Sequence, residues 1–355
     1  MKNKSFLIGT LMITTVLFLG QISFNYFFDS YGFFRKNTYI DTASNAIADG
    51  HMLSIQGNYD ERVFQQAIVE HFKEMPQQIL IGSSRSMMIP ATFFQQNGRF
   101  FNHSVSGASI EDYIAILGLY EKHNFFPKTV ILGIDPWIFN KNNHQQRWKS
   151  LSESHTFMMS KLNKDLLTSP SSSNTNRYAQ LINFENTKNN LLHLKETLKK
   201  ENNFKVTATD QVDAMIKKPD GSILYPYKIR YKKDSDTLTE AKAYITGPVY
   251  SVEDFESLSN TQLFENLIDH LQNHGVTVIF FLPPYHPIVY HYLANNPKYH
   301  SVLEAENYVR TFAQQKNITL LGSYNPDIYH FRSNDFTDGM HAKESVAKRI
   351  FNPHP

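Results

Sequence analysis

Four short apolar segments, each ending in turn residues, constrain the fold of this chain more than any other feature. They are residues 78–82, 129–134, 276–282 and 318–321, and residues 99–102 form a weaker segment of the same kind. Continuous runs of Ile, Val, Leu and Phe are typical of strands that are buried on both faces of a sheet. We therefore expect five strands, four of them deep in the core.

Helical patterns separate these segments. Apolar residues recur every three to four positions in residues 110–120, 262–271 and 302–312. A strand, a helix and a further strand in alternation favour a parallel sheet with helices on both faces. The sequence therefore predicts an α/β fold with three layers, α/β/α, and a mainly parallel five-stranded sheet.

The first 28 residues have the layout of a signal sequence. Lys2 and Lys4 precede an uncharged apolar run that starts at Phe6 and ends near Phe24. Its length is close to the roughly 20 residues that cross a bilayer. Aromatic residues follow instead of a small-x-small cleavage site, as in an interfacial belt. We predict an uncleaved transmembrane anchor with the rest extracytoplasmic, in the periplasm or at the cell surface. A buried helix of a soluble protein and a cleaved signal are the alternatives.

Charge and cysteine content exclude several classes of protein. The chain holds 35 basic and 33 acidic residues, and this excess of two equals Lys2 and Lys4. The remainder is neutral, which argues against a nucleic-acid partner, because binding a polyanion depends on basic side chains. The chain has no cysteine. Disulfides, thiolate nucleophiles, thiolate zinc sites and lipoprotein anchors are therefore excluded.

Two stretches fall outside the alternating pattern. Residues 29–75 predict a helical lead-in between the anchor and the sheet. Residues 143–250 interrupt one domain that spans 76–355, and we interpret them as an insertion. The insertion contains a serine-rich run at 169–173, a polar helix near 186–200 and a charged run at 228–236. It forms either a wall of a substrate site or a solvated decoration.

Polar side chains follow every predicted strand. They occur at residues 82–86, 104–109, 135–137, 283–286 and 335–341. The carboxyl ends of parallel strands meet at one edge of a sheet, where ligands bind. A serine, a histidine and an aspartate at that edge predict a nucleophile, its base and a residue that orients the base.

Three of these motifs resemble the SGNH/GDSL hydrolase superfamily. They are the Gly-Ser-Ser-Arg of residues 82–85, the Val-Ser-Gly-Ala-Ser of residues 105–109 and the Asp-Gly-Met-His of residues 338–341. The resemblance covers about residues 76–142 and 262–351. It is strongest to the membrane-anchored extracytoplasmic branch, which includes the D-alanyl transfer protein of teichoic acid synthesis and alginate-type O-acetylation proteins.

The resemblance implies roles for four residues. Ser84 would be the nucleophile, His341 its base and Asp338 the carboxylate that fixes the imidazole tautomer. A hydroxyl is a weak nucleophile until a base takes its proton, and imidazole suits that task near neutral pH. The backbone N–H groups of Ser84 and Gly107 would bind the oxyanion. Asp335 competes with Asp338 as the orienting carboxylate.

The third block departs from the family pattern. Residues 133–137 read Gly-Ile-Asp-Pro-Trp and lack the Asn that usually completes the oxyanion hole. Arg85, Ser106 or a group from the insertion would have to replace its amide. Arg85 is also a candidate for binding an anionic substrate group. Asp135 has no family role, and we place it in the substrate site.

Other residues at this edge have open roles. Tyr285 and His286 are expected to line the substrate site, and Trp137 is either a sugar platform or a core residue. We expect no metal and no cofactor, because no cluster of acidic ligands accompanies the histidines.

These features predict an anchored, outward-facing serine acyltransferase or esterase of a cell-envelope polymer. An acyl donor would form an acyl-enzyme on Ser84, and a carbohydrate or polymer hydroxyl, or water, would take the acyl group. The resemblance also implies a membrane O-acyltransferase as a partner. The alternative is an inactive binding or assembly protein on the same fold, which the missing Asn favours.

Overall fold

The computed structural model describes residues 2–28, 38–94, 98–162, 178, 181–192 and 204–352. Its helices are α1 (Lys2–Phe27), α2 (Thr38–Ala48), α3 (Glu61–His71), α4 (Ile110–Lys122), α5 (Ser152–Leu162), α6 (Phe184–Leu192), α7 (Tyr227–Arg230), α8 (Asp234–Tyr244), α9 (Thr261–Asn273), α10 (Pro287–Asn295), α11 (His300–Gln315) and α12 (Glu344–Phe351). Its strands are β1 (Met52–Ile55), β2 (Gln78–Ile81), β3 (Phe100–Asn102), β4 (Thr129–Gly133), β5 (Phe204–Thr207), β6 (Met215–Lys217), β7 (Ile223–Leu224), β8 (Thr277–Leu282) and β9 (Thr319–Gly322).

A five-stranded sheet lies at the centre of the fold. Its order is β3-β2-β4-β8-β9, and every neighbouring pair is parallel. Leu80 pairs with Ile131 and Ile131 with Ile279, so the three middle strands are in register across the core. The five strands are the five apolar segments of the sequence analysis, and the predicted parallel α/β sheet is confirmed.

Alternate side chains of these strands enter two separate cores. Ile79, Val130 and Phe280 belong to the larger core, which also contains residues of α3, α4, α9 and α11. Leu80 and Phe281 point to the opposite face and pack with residues of α12. Both faces are buried because helices cover both, which explains why the strands are continuously apolar.

A second sheet joins the lead-in to the insertion. It is antiparallel, with the order β5-β1-β6-β7. Its strand β1 comes from the lead-in, whereas β5, β6 and β7 come from the insertion. The helical lead-in predicted over 29–75 therefore missed a strand. Its four residues, Met-Leu-Ser-Ile, are too few to show a period, and their partners are 149 to 164 residues away.

Other parts of the insertion are only partly described. The serine-rich run at 169–173 lies outside the described residues. The polar helix predicted near 186–200 overlaps α6, and residues 193–200 also lie outside. The charged run at 228–236 covers most of α7 and the start of α8.

Helix α1 is long enough and apolar enough to cross a membrane. The candidate span is Phe6–Phe27, 22 residues, and its most apolar stretch is not buried against the rest of the described chain. At 1.5 Å per residue it extends about 33 Å, which matches the roughly 30 Å of a hydrocarbon core.

Candidate active site

Ser84 lies in the turn that follows β2. The turn is tight at Gly82, where a Cβ would lie 2.8 Å from Ser86 Oγ and 3.1 Å from the carbonyl oxygen of Gly133. Ser84 is half-buried, and its Oγ is 2.9 Å from Nε2 of His341. The two residues are 257 positions apart in the sequence, and the parallel topology brings them to the same edge of the sheet.

Asp338 orients His341. Its Oδ2 is 2.8 Å from Nδ1 of the imidazole, and its Oδ1 accepts hydrogen bonds of 2.8 Å from the backbone N–H groups of Met340 and His341. Burial alone would raise the pKa of Asp338. The hydrogen bond and charge of His341, with the two backbone N–H groups, outweigh burial and lower this pKa to about 2. The carboxylate is therefore ionised at neutral pH.

The rival carboxylate Asp335 has a different partner. Its Oδ2 accepts a hydrogen bond of 2.7 Å from the backbone N–H of Arg332, and so it closes the turn Ser333–Asp335. The imidazole of His341 bonds to Asp338 instead. Ser84, His341 and Asp338 are thus joined in the order of a nucleophile, a base and an orienting carboxylate.

Gly107 lies in a crowded turn beside the insertion. Its φ is +54°, and a Cβ there would collide with the Tyr250 hydroxyl and lie 2.6 Å from Nη2 of Arg147. Gln145 Nε2 donates to the Gly107 carbonyl at 2.9 Å, and its Oε1 accepts from Arg147 Nε at 3.1 Å. Only glycine fits this turn, and donor groups from the insertion surround it.

Two residues at the start of α3 hold the segment before Gly107. Arg62, which is buried, makes two hydrogen bonds to the Asp112 carboxylate, of 2.9 and 3.0 Å, and one of 3.0 Å to the carbonyl of Ser106. Glu61 accepts from the hydroxyl of Ser106 at 2.8 Å. Because that hydroxyl is engaged, Ser106 is a poor replacement for the missing Asn. Neither Glu61 nor Arg62 was expected from the sequence, because they belong to the first turn of an ordinary helix and no motif surrounds them.

Arg85 and Asp135 form an internal ion pair. Their side chains are 1% and 0% exposed, and Arg85 Nη1 is 2.8 Å from Asp135 Oδ1. The same guanidinium donates to the carbonyls of Met340 at 3.1 Å and Pro283 at 2.6 Å. Burial raises the pKa of Asp135, although Arg85 opposes this. The predicted contact of these two residues with a substrate is therefore corrected: they brace the Ser84 turn against the His341 loop from inside.

The remaining predicted pocket residues are also interior. Tyr285 is fully buried, and its ring lies 3.9 Å from the Arg85 guanidinium carbon. His286 is fully buried and caps α10, with Nδ1 accepting from Ile288 N–H at 3.2 Å. Burial lowers its pKa to about 4, so the imidazole is neutral at pH 7. Trp137 donates its indole N–H to the Ala108 carbonyl at 2.9 Å and is a core residue. None of the three presents a surface to a substrate.

The insertion reaches the triad directly. Tyr225 donates its hydroxyl to the Ser84 carbonyl at 3.4 Å, and its ring lies edge-on to His341 with centroids 5.9 Å apart. Tyr244, at the end of α8, donates to Met340 Sδ at 3.1 Å. Burial raises the pKa of Tyr225, so its phenol stays protonated. Of the two readings of the insertion, the contacts favour a wall of the site over a decoration.

Within the described ranges, no group of three or more His, Asp or Glu side chains converges in a way that could hold a metal ion. The backbone N–H groups of Ser84 and Gly107 donate to no acceptor in that part of the chain.

A family model described as "Protein of unknown function (DUF1574)" matches residues 51–347. The chain belongs to this family. The matched range contains β1, the insertion, Ser84 and His341, and it leaves out α1. No curated protein matches the chain. Membership in DUF1574 therefore groups the two sheets and the triad in one unit without assigning an activity.

Proposed function

We propose that this DUF1574 protein is a serine acyltransferase or esterase of the SGNH type. The observation that carries the proposal is the Ser84–His341–Asp338 chain, with links of 2.9 and 2.8 Å at the carboxyl edge of a parallel sheet. The order of the three motifs along the chain and their resemblance to the SGNH/GDSL superfamily support it.

The first half of the reaction forms an acyl-enzyme. His341 Nε2 takes the Ser84 proton while Oγ attacks the acyl carbon, and a tetrahedral oxyanion results. The bond from that carbon to the carrier oxygen or sulfur then breaks, and His341 gives its proton to the leaving group. Asp338 stays ionised throughout and stabilises the imidazolium.

The second half repeats the sequence with an acceptor. A hydroxyl of a sugar or polyol, or water, gives its proton to His341 and attacks the acyl carbon. The bond to Ser84 Oγ breaks, and His341 returns the proton to the serine. Exclusion of water by the tyrosines of the insertion would favour a hydroxyl acceptor over hydrolysis.

The oxyanion needs donors that the family's Asn would otherwise supply. The N–H groups of Ser84 and Gly107 provide two. Arg85 is paired inside the protein and the Ser106 hydroxyl is bonded to Glu61, so the insertion is left as the source of the third. Arg147 is the best placed of these groups to act as that donor. Its Nη2 lies close to the point where a Cβ on residue 107 would be, and its Nε donates a hydrogen bond to Gln145. A guanidinium there would stabilise developing negative charge.

A helix able to span a membrane suggests where the substrate is. We propose that α1 anchors the domain on the extracytoplasmic side, near lipid-linked donors and envelope polymers, with an O-acyltransferase of the membrane as the partner. Anchoring raises the effective concentration of such partners. The acceptor would be a carbohydrate or polyol polymer of the envelope.

Labelling with a fluorophosphonate probe tests the proposal. The wild type should form a covalent adduct, and Ser84→Ala should form none. Ser86→Ala is the matched control, because this serine is two residues away and its hydroxyl makes no hydrogen bond within the described part of the chain. Ser86→Ala should label like the wild type. Folded wild type that resists the probe would favour a binding protein that uses the same surface without chemistry.

A further inference from the structure

Two amide side chains interrupt the apolar surface of α1 near its end. Gln21 and Asn25 are four residues apart and so lie on one face of the helix. At 1.5 Å per residue they are about 9 Å and about 3 Å from Phe27, the last residue of the candidate membrane span. An amide at such a depth costs free energy unless hydrogen bonds satisfy it.

Residues 181–192 of the insertion supply those hydrogen bonds. Asn25 Nδ2 donates to the Leu181 carbonyl and to Thr187 Oγ1, both at 2.8 Å, and Asn190 Nδ2 donates to Asn25 Oδ1 at 3.1 Å. Gln21 Nε2 donates to the Ile182 carbonyl at 3.2 Å and to Thr187 Oγ1 at 3.1 Å. The segment therefore lies at the same height as the last two turns of α1.

A neighbouring face of α6 is apolar and exposed. Phe184, Lys188 and Leu191 are spaced i, i+4 and i+7, which places them in one stripe. Phe184 is 81% exposed and Leu191 61%. Large apolar side chains beside a lysine are typical of helices in the membrane interface, where the lysine extends to the headgroups.

We propose that residues 181–192 form a membrane-interface segment, whose apolar stripe inserts into lipid beside α1. The occupant of the stripe is lipid rather than protein because the stripe adjoins α1, a helix that is long and apolar enough to be surrounded by acyl chains. Amphipathic helices bury about 5–10 Å into the interface, which agrees with the height of Gln21 on α1. The segment would hold this part of the insertion at the bilayer.

The absence of cysteine from the chain permits single-site labelling of the full-length protein in liposomes. Phe184→Cys and Leu191→Cys would each carry an environment-sensitive fluorophore. Leu17→Cys, in the middle of α1, is the bilayer control. Ile328→Cys, at a side chain 58% exposed in the turn Pro326–Tyr329, is the water control. Lipids with a nitroxide near the headgroup quench labels in the interface, whereas iodide quenches labels in water.

Labels at 184 and 191 should lose most of their emission to the shallow nitroxide and little to iodide, and the label at 328 should show the reverse. A label at 184 that behaves like the one at 328 would overturn the proposal. Protection from both quenchers would also overturn it, since protein would then cover the stripe. If the label at 17 is quenched by iodide, α1 is outside the bilayer and the interface segment fails with it. These readings are independent of Ser84 and of any catalytic activity.

Discussion

Replacement of Arg85 by lysine tests how the Ser84 turn is coupled to the His341 loop. The guanidinium reaches three acceptors in three directions: Asp135 at 2.8 Å, the Met340 carbonyl at 3.1 Å and the Pro283 carbonyl at 2.6 Å. A lysine keeps the charge but presents its donors from a single nitrogen. It can stay with Asp135, and the two carbonyls then lose their partner.

The expected losses follow from this geometry. A buried acceptor without a hydrogen bond costs about 1–3 kcal/mol, so the two carbonyls together cost about 2–6 kcal/mol of stability. The Met340 carbonyl is adjacent to His341 in the chain. Release of this loop by about 1 Å from Ser84 should slow acylation roughly 100-fold.

The assay is the second-order rate of fluorophosphonate labelling per folded molecule, measured well below the melting temperature. Arg310→Lys is the matched control, because Arg310 also joins a carboxylate, Glu306, to a carbonyl, that of Gly322. It should lose stability without a change in labelling rate. If Arg85→Lys melts earlier but its folded fraction labels as fast as the wild type, then Arg85 does not position His341 and the reasoning is refuted.

Three further predictions concern two groups of the proposed site and one buried lysine of the second sheet. Arg147→Met should lower the labelling rate by about 10²–10³, as expected for a lost oxyanion donor, with an unchanged melting temperature; an unchanged rate would remove Arg147 from that role. Asp338→Asn keeps an acceptor for the backbone N–H groups but loses the ionised form, whose pKa is about 2 against an ordinary 3.8. The substitution should lower the free energy of unfolding by at most about 2 kcal/mol near pH 6, and by less after solvent screening, because the side chain is 33% exposed. The difference in stability from the wild type should vanish as the pH falls from 3.8 through 2. Lys217 is 2% exposed, and burial lowers its pKa from 10.5 to about 8. The unfolded chain therefore binds this proton more tightly than the folded chain does. As a result, the folded wild type gains stability as the pH rises from 8 to 10.5. Lys217→Met should therefore raise the free energy of unfolding at pH 7 by about 2 kcal/mol. Thermal melts should show that this gain in stability shrinks above pH 8. A gain that does not depend on pH would contradict this account.

The sequence determined the central sheet and the residues at its carboxyl edge. Strands buried on both faces must be continuously apolar, so they stand out in a chain of any function. Parallel topology then brings the ends of distant strands together, which is why Ser84 and His341 could be paired across 257 positions. Their catalytic role stays a prediction, as does the acyl chemistry that we propose for it.

Tertiary structure alone decided which polar residues face the site and which lie beneath it. Arg85 and Asp135 follow strands as Ser84 does. Because their opposite charges pair with each other, both side chains can be buried beneath the site rather than face it. The clamp of Glu61 and Arg62 on Ser106 joins residues more than 40 positions apart, and no local pattern encodes it. The same holds for the short strand β1 and for Arg147 beside Gly107. Local sequence fixes an element because its own residues carry the periodicity, whereas a contact between two irregular segments depends on where the whole chain has placed both of them.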